Sequence, residues 1–273
     1  MKIKFLGTAA AEGVPGIFCE CENCRKAREL GGKEIRTRSQ AIINDELLID
    51  FPADTYMHHI MYGVNIPSVK NLIITHSHED HLYPSEFLMR LPGFAPTATE
   101  KMNVYAGKAS IEEIKKAVPE YENALNLYEV SAFTAFEAGG YSITPLPSVH
   151  SASTTPFFYI IEKDGKKILY AHDTDFFRDD VWEFFKKEKP YFSLVSLDCT
   201  NANVHYDYVG HMGLEKNAEI RRIFLENGYA DEKTIFVCNH FSHNPKGMNY
   251  CDFAPVAAKL GFVTSYDGLE EEV

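Results

Sequence analysis

Basic residues are in short supply. Against 39 Asp and Glu stand 27 Lys and Arg, a formal charge of −12 at pH 7. A duplex or tRNA binder displaces phosphate counterions with clustered cations, so this balance argues against a large nucleic-acid partner. It leaves room for a small anionic substrate held by a metal. No uncharged apolar run approaches the ~20 residues a bilayer span needs, so no membrane partner is expected. The opening MKIKFLGTAAAEGVPG is interrupted by Gly7, Glu12 and Pro15 and lacks the apolar stretch of a secretory peptide. A cytoplasmic protein is the expectation. No Ser/Pro/Gly-rich linker and no internal repeat divides the chain, which reads as one domain over 1–273. No G-x-G-x-x-G follows the first strand-like run; Gly7 leads into Thr8-Ala9-Ala10 instead, which removes the dinucleotide fingerprint.

The composition that remains is that of a folded domain. Hydrophobic residues make up 45% and charged residues 24% of the 273. Surface scaling gives roughly 12,000 Å² exposed for a chain of this size, enough burial for a core without staples. Strand-like runs recur at Lys2–Leu6, Ala41–Asp50, Asn71–Thr75, Met102–Ala106, Ser142–Leu146, Phe157–Glu162, Lys167–Ala171, Phe192–Asp198 and Thr234–Cys238. Asp164-Gly165 reads as a tight hairpin turn. Helical patterns fall at Asp54–Tyr62, Pro84–Arg90, Ser110–Val118, Phe176–Lys187, Leu214–Asn227 and Phe253–Leu260. The segment Lys108–Asn126 reads as helical and mixed in charge. Two sheets covered by helices, an α+β fold of the αββα sandwich kind, fit this better than a doubly wound sheet.

Chemistry concentrates in Thr75-His76-Ser77-His78-Glu79-Asp80-His81, the pattern H-x-H-x-D-H behind an apolar strand. Residues two apart in extended backbone face one side, so His76 and His78 can hold one cation together. Asp80 and His81 lie at the turn into the next helix and can aim at a second. Imidazole and carboxylate are ligands that Zn, Mn and Fe accept. The bland alternative is a solvated His-rich loop. Further candidates follow other strands: His150, Asp173 and His240. Each alone is weak, but residues at the same end of several strands converge on one sheet edge. Three of the six cysteines crowd into Cys19-Glu20-Cys21-Glu22-Asn23-Cys24. That spacing suits a metal better than disulfides. Cys199 and Cys238 end apolar runs and read as buried, inert thiols.

The H-x-H-x-D-H block, with later His, Asp and His at strand ends, resembles the metallo-β-lactamase-fold hydrolases. The match runs in motif order from Gly7-Thr8 to Asp267-Gly268. The resemblance implies a four-layer αββα sandwich with two divalent metals, Zn, Mn or Fe, at one edge. His76, His78 and His150 would take the first metal. Asp80, His81 and His240 would take the second, with Asp173 bridging. Asp175 is the rival bridge; Asp173 stands nearer the strand end. The cysteine motif narrows the resemblance to the PhnP-type phosphoribosyl cyclic phosphodiesterases. There a His three residues after the last active-site His completes a structural zinc. His243 occupies that position, and with Cys19, Cys21 and Cys24 it makes the closed four-ligand set.

Gly210-His211-Met212-Gly213-Leu214 resembles the segment whose His serves near the leaving group in phosphodiesterases of this fold, ribonuclease Z included. His211 is the candidate general acid and His205 the alternative. Two metals lower the pKa of a shared water and clamp the oxygens of an in-line displacement. Asp80 would orient that nucleophile. The expected activity is therefore hydrolysis of a small cyclic or nucleotide-like phosphodiester. Ribonuclease Z-like cleavage, a glyoxalase-type thioesterase and a binding protein with an inactive site are the alternatives. Phe51-Pro52 replace the Gly common after this strand, and the basic arm that ribonuclease Z uses on tRNA is absent. Arg36 and Arg38 are read as structural or surface residues before phosphate clamps, and His58 and His59 receive no role. A homodimer fits base rates.

Overall fold

The computed structural model describes residues 1–98 and 100–273. Its accessible surface is 12058 Å², in line with the scaling expectation. The first part of the chain contains β1 (Lys2–Gly7), β2 (Gln40–Ile43), β3 (Leu47–Ile49), β4 (Asn71–Ile73), β5 (Met102–Ala106) and β6 (Leu125–Glu129). Helices α1 (Glu22–Leu30), α2 (Thr55–Tyr62) and α3 (Lys108–Ala117) interrupt them. The second part contains β7 (Phe136–Ala138), β8 (Tyr141–Pro147), β9 (Phe157–Lys163), β10 (Lys166–Ala171), β11 (Leu194–Asp198), β12 (Ile235–Asn239) and β13 (Val263–Thr264). Helices α4 (Asp179–Glu188), α5 (Leu214–Glu226) and α6 (Tyr250–Lys259) lie among these, and β14 (Leu269–Glu272) returns to the first sheet. The sheets run β14-β1-β2-β3-β4-β5-β6 and β13-β12-β11-β10-β9-β8-β7.

Strand alternation sorts the apolar residues into layers. Ile3, Phe5, Leu47, Ile49 and Ile73 of the first sheet meet Tyr141, Ile143, Tyr159, Ile168, Tyr170 and Val237 of the second in one buried cluster. Their strand neighbours Leu48 and Leu72 face the other way, onto Ile111 and Ile114 of α3. Leu169, Val195, Leu197 and Phe236 likewise face outward, onto Val181 and Phe185 of α4, Phe224 of α5 and Phe253 of α6. The expected αββα sandwich is the fold.

The differences from the sequence reading are local. The run Ala41–Asp50 is two strands, folded at Asn44 and Asp45 with φ of 51° and 58°. Both residues tolerate left-handed backbone, so the three-residue turn over 44–46 forms without a glycine. Asp164-Gly165 does turn β9 into β10, at φ of 52° and 73°. The helical reading of Lys108–Asn126 is too long. The helix stops at Ala117, and Leu125 and Asn126 already pair with Met102 and Asn103 as the start of β6. That strand has a neighbour on one side only, so tertiary pairing overrides its weak local pattern.

Strand polarity sets the position of the site. β10, β11 and β12 are mutually parallel, and so are β3, β4 and β5. Their C-terminal ends deliver Asp173, Asp198, His240, Asp50 and His76 to one edge of the sandwich. Asp50, Asp173 and His240 hold left-handed backbone at φ of 66°, 48° and 64°. That conformation costs a non-glycine residue about 1–3 kcal/mol and persists where the surroundings over-determine it, commonly at functional sites.

Candidate active site

Two groups of donors converge behind β4. In the first, His76 Nε2 lies 2.9 Å from His78 Nδ1, and His150 Nε2 lies 3.1 Å from that same atom. In the second, His81 Nε2 lies 3.2 Å from His240 Nε2 and 3.4 Å from Asp80 Oδ2. Asp173 stands between them. Its Oδ2 is 3.1 Å from His240 Nε2, in contact with His81 Nε2, and 3.8 Å from His76 Nε2. Its Oδ1 is 3.8 Å from His150 Nε2. Within each group the donor atoms lie within 4.8 Å of one another.

In four of the five rings the outward nitrogen is occupied, which leaves the inward one free. His81 Nδ1 donates to Asp50 Oδ2 at 2.7 Å. His150 Nδ1 donates to the Gly210 carbonyl at 3.3 Å, and His240 Nδ1 pairs with Thr200 Oγ1 at 2.9 Å. His76 Nδ1 lies 3.1 Å from Thr75 Oγ1. An outer hydrogen bond of this kind fixes the tautomer of a metal-ligating imidazole. The inward nitrogens then present lone pairs to one another and to a carboxylate, and they cannot all be satisfied by protons. Asp173 Oδ2 is buried and makes no hydrogen bond of good geometry. A divalent cation in each group resolves both facts, so the donor set fits the metals that the fold implies.

In the absence of metal the carboxylates are held ionised by the imidazoles beside them. Burial alone would raise Asp173, but His240 and His81 outweigh it and hold the carboxyl well below its usual range. Asp80 is lowered in the same way, by His81 against burial. His76 is driven well below its ordinary value by burial, with the His81 charge adding to it.

Asp198 is the second buried hub, and sequence reasoning missed it. It accepts from the backbone N–H groups of Thr200 and Met212 at 3.0 Å each, and from His211 Nδ1 at 3.0 Å. It also accepts the Asp173 backbone N–H at 3.1 Å. Burial would lower His211, but Asp198, with Asp173 and Asp80 behind it, raises it to about 9. His211 lines the cavity in front of the donors; His205 does not, pairing instead at the surface with Glu215 and Asp207. Asp50 was missed too. Besides His81 it accepts the backbone N–H of Thr75 at 2.8 Å and its hydroxyl at 2.9 Å. The available signal for Asp50 and Asp198 was their place at the ends of strand-like runs, the same signal that singled out Asp173.

Asp175, the rival to Asp173, is turned away. It accepts from Phe176 N at 2.6 Å and pairs with Lys216. Arg36 is buried; it donates to Thr8 Oγ1 at 2.8 Å and to the Ser265 carbonyl at 2.7 Å, with its guanidinium 4.2 Å from the Phe241 ring centroid. Arg38 holds Asp54 and the Ala11 carbonyl. His58 is a core residue between Gln40 and Thr37, and His59 meets the Val64 carbonyl.

The cysteine motif forms a separate cluster. The Sγ atoms of Cys19, Cys21 and Cys24 and a ring nitrogen of His243 lie within 4.8 Å of one another. Cys21 Sγ is 3.6 Å from His243 Nδ1, and Gly16 N donates to Cys24 Sγ at 3.2 Å. Asn23 at the start of α1 clamps the His243 and Pro245 carbonyls at 2.8 and 2.6 Å. Three thiols this close cannot ionise together unless a cation lies among them. Burial would raise Cys21, yet the Cys24 N–H and His243 bring it to about 6, while burial and its neighbours push Cys24 to about 12. The set suits a closed tetrahedral zinc. Cys199 and Cys238 are buried free thiols, and Cys251 is exposed.

The fold and this site define a metal-dependent hydrolase of the metallo-β-lactamase fold, with a His/Asp cluster that could hold divalent metal. The family model described as beta-lactamase superfamily domain matches residues 53–224, more than half of the chain, and the chain belongs to that family. A search of curated proteins gives no match. Among solved structures, a diphosphatase from the PhnP family is 22% identical with a TM-score of 0.74, covering 100% of this chain and 98% of the other. Zn(2+)-bound PqqB from Methylobacterium extorquens is 16% identical with a TM-score of 0.72, covering 100% of both. The short form of human tRNase Z is 15% identical with a TM-score of 0.67, covering 100% of this chain and 99% of that one. At these identities the likeness is one of fold.

Proposed function

We propose that the chain, folded as one domain over 1–273, is a binuclear-metal phosphodiesterase acting on a small cyclic or nucleotide-like phosphodiester. His76, His78 and His150 would hold one cation, Asp80, His81 and His240 a second, and Asp173 both. Cys19, Cys21, Cys24 and His243 would hold a structural zinc. Bound there, the pair supplies an activated water and charge neutralisation for the phosphoryl group.

The chain's own residues supply the rest. Asp80 lines the cavity and orients the water. With the metals bound the nucleophile would be hydroxide, the water's proton having gone to solvent, and its oxygen would add to phosphorus as the bond to the leaving oxygen breaks. His211, protonated and held by Asp198, gives its proton to that oxygen. Sugar alkoxides leave poorly without one, so this acid is worth ~10²–10⁴-fold. Thr200 and Asp50 keep His240 and His81 aimed inward.

The observation that carries the reading is this pairing of two joined donor groups with His211, held by Asp198, in one cavity of about 440 Å³. That volume suits a nucleotide-sized group and falls within the range of small-molecule sites. Among the described residues no helix is long and apolar enough to cross a membrane. The test is turnover by metal-loaded protein of a chromogenic phosphodiester beside a lactam and a thioester. Selective cleavage of the diester supports the reading. Selective cleavage of the thioester transfers the site to the glyoxalase-type alternative.

A further inference from the structure

His58 is fully buried in α2, and it belongs neither to the donor clusters nor to the cavity in front of them. It stands in the middle of a relay of hydrogen bonds that ends at Asp50. The Asp50 carboxylate accepts from His81 Nδ1, and the Asp50 carbonyl accepts from Gln40 Nε2 at 2.9 Å. Asp50 holds left-handed backbone at φ of 66°, so its place depends on what grips its peptide groups. Gln40 Oε1 in turn lies 2.6 Å from His58 Nδ1. On the far side His58 Nε2 lies 2.7 Å from Thr37 Oγ1, which lies 2.6 Å from Asp267 Oδ2.

Proton counting fixes most of this relay. Thr55 Oγ1 gives its proton to the Pro52 carbonyl at 2.7 Å, so it accepts from Gln40 at 2.9 Å. The Gln40 amide therefore turns its nitrogen to Thr55 and Asp50 and its oxygen to His58, and His58 Nδ1 carries a hydrogen. At the other end Arg36 donates to Thr8 Oγ1 at 2.8 Å, and Thr8 donates to Asp267 Oδ1 at 2.6 Å. The Thr37 N–H donates to Asp267 Oδ2 at 2.6 Å. The single hydroxyl proton of Thr37 is left for two acceptors, Asp267 Oδ2 and the lone pair of His58 Nε2. With Asp267 ionised and His58 neutral, one of these short contacts sets lone pair against lone pair. One further proton removes the conflict.

The charges around the relay decide where that proton goes. Arg36, joined to Asp267 through Thr8, favours the carboxylate. Asp54, one turn before His58, favours the imidazolium but is engaged by Arg38. Tyr62 has its ring centroid 6.2 Å from that of His58 and Lys4 above its ring; burial and Asp267 push its hydroxyl up to about 12, so it stays neutral. Burial outweighs Arg36 and pushes Asp267 up to about 6, and it pushes His58 down to about 4. The acid form of Asp267 fits: it donates to Thr37 Oγ1, and Thr37 donates to His58.

We propose that His58 is a positioning residue for the metal pair: as the neutral Nδ1–H imidazole it locks Gln40, Gln40 locks Asp50 behind His81, and a proton held between Asp267 and Thr37 lets both nitrogens of His58 stay bonded. The positioning role rests on the metal reading above; the proton does not. Asp267 is raised in the fold from its ordinary 3.8, so its proton stabilises the fold fully below pH about 4, and that contribution is lost as pH rises through about 6.

Two measurements on the full-length protein test it. NMR of protein labelled at Asp carboxyl carbons and His nitrogens, with Asp267→Asn and His58→Asn to assign the signals, reads the protonation. Wild type should show Asp267 titrating near pH 6, with His58 neutral and protonated on Nδ1 at that pH. The amide nitrogen of His58→Asn can replace Nδ1 toward Gln40 but offers Thr37 no acceptor, so the Asp267 midpoint should fall by about one unit. A cationic His58 beside an ionised Asp267, or an unchanged midpoint in His58→Asn, would overturn the proton assignment. Zinc titration after chelation reads the positioning. His58→Phe keeps a ring and removes both hydrogen bonds; it should bind exchangeable zinc roughly tenfold more weakly, and His58→Asn should recover most of that loss. If His58→Phe does not fold, Gln40→Met, which also releases Asp50, is read in its place. Lower Tm with unchanged zinc affinity would show a packing role only and overturn the positioning. Wild type that takes up no exchangeable zinc would sink the metal reading and the positioning with it, and the NMR result would decide the proton independently.

Discussion

Two donor clusters share one short segment of chain. His240 belongs to the first and His243, three residues on, to the second. Yet they differ in nearly every other respect. The His/Asp cluster gathers its ligands from the ends of β4, β8, β10 and β12, across both sheets. It opens on a cavity and has His211, held by Asp198, beside it. The cysteine cluster draws three ligands from six consecutive residues and has thiol donors, and none of its four members lines the cavity. Hard and borderline donors with an open face suit exchangeable catalytic metal; soft donors in a closed set suit a zinc that holds chain together. On the proposed reading the two clusters divide chemistry from architecture, and variants of each should separate the two.

The largest effect is expected at the heart of the first cluster. His240→Ala should remove activity on every diester, while zinc at the cysteines stays bound; metal content and turnover measured on one preparation check this. A change confined to one substrate would break the distinction. Next comes His211→Ala. Hydrolysis of an alkyl or ribosyl diester should fall ~10²–10⁴-fold, with a nitrophenyl diester largely spared and metal content intact. Equal losses on both substrates would favour a positioning role. Asp50→Asn weakens the orientation of His81 without touching the cavity. It should lower affinity for the exchangeable metal by about 10–100-fold, read by titration after chelation.

The smallest change in chemistry is expected at the second cluster. Cys21→Ser should remove zinc from that site and lower Tm. A loss of about 2–3 kcal/mol corresponds to roughly 5–10 °C in a chain of this size. Activity should fall only as far as the walls near His240 loosen. Unchanged melting with unchanged zinc would show that the loop binds no metal.

The same contrast explains what could be read from sequence. The convergence of His76, His78, Asp80 and His81 was legible because four candidate ligands sit within six residues and strand periodicity puts two of them on one side. Cys19, Cys21 and Cys24 were legible for the same reason of spacing. His150, Asp173, His240, His211 and His243 needed the family resemblance to be chosen from among other His and Asp residues. Asp50, Asp198 and Thr200 hydrogen-bond to those histidines, and no local pattern distinguishes a supporting carboxylate from any other Asp at a strand end. The elements that escaped lie at margins. α1 carries the sequence ENCRKAREL with only Asn23, Cys24 and Ala27 buried, too narrow an apolar stripe to signal a helix. β14 is LEEE and pairs with β1 alone. Such strands are specified by what they pair with.

The central claim is that one chain holds two kinds of metal site, a joined pair and a separate zinc. Elemental analysis of fully loaded wild type, Asp173→Ala and Cys21→Ser tests it most directly. Three metals per chain are predicted for wild type. Asp173→Ala should lose metal from the pair and keep the cysteine zinc, while Cys21→Ser should lose that zinc and keep the pair. A stoichiometry of one metal per chain in fully loaded wild type would contradict the account.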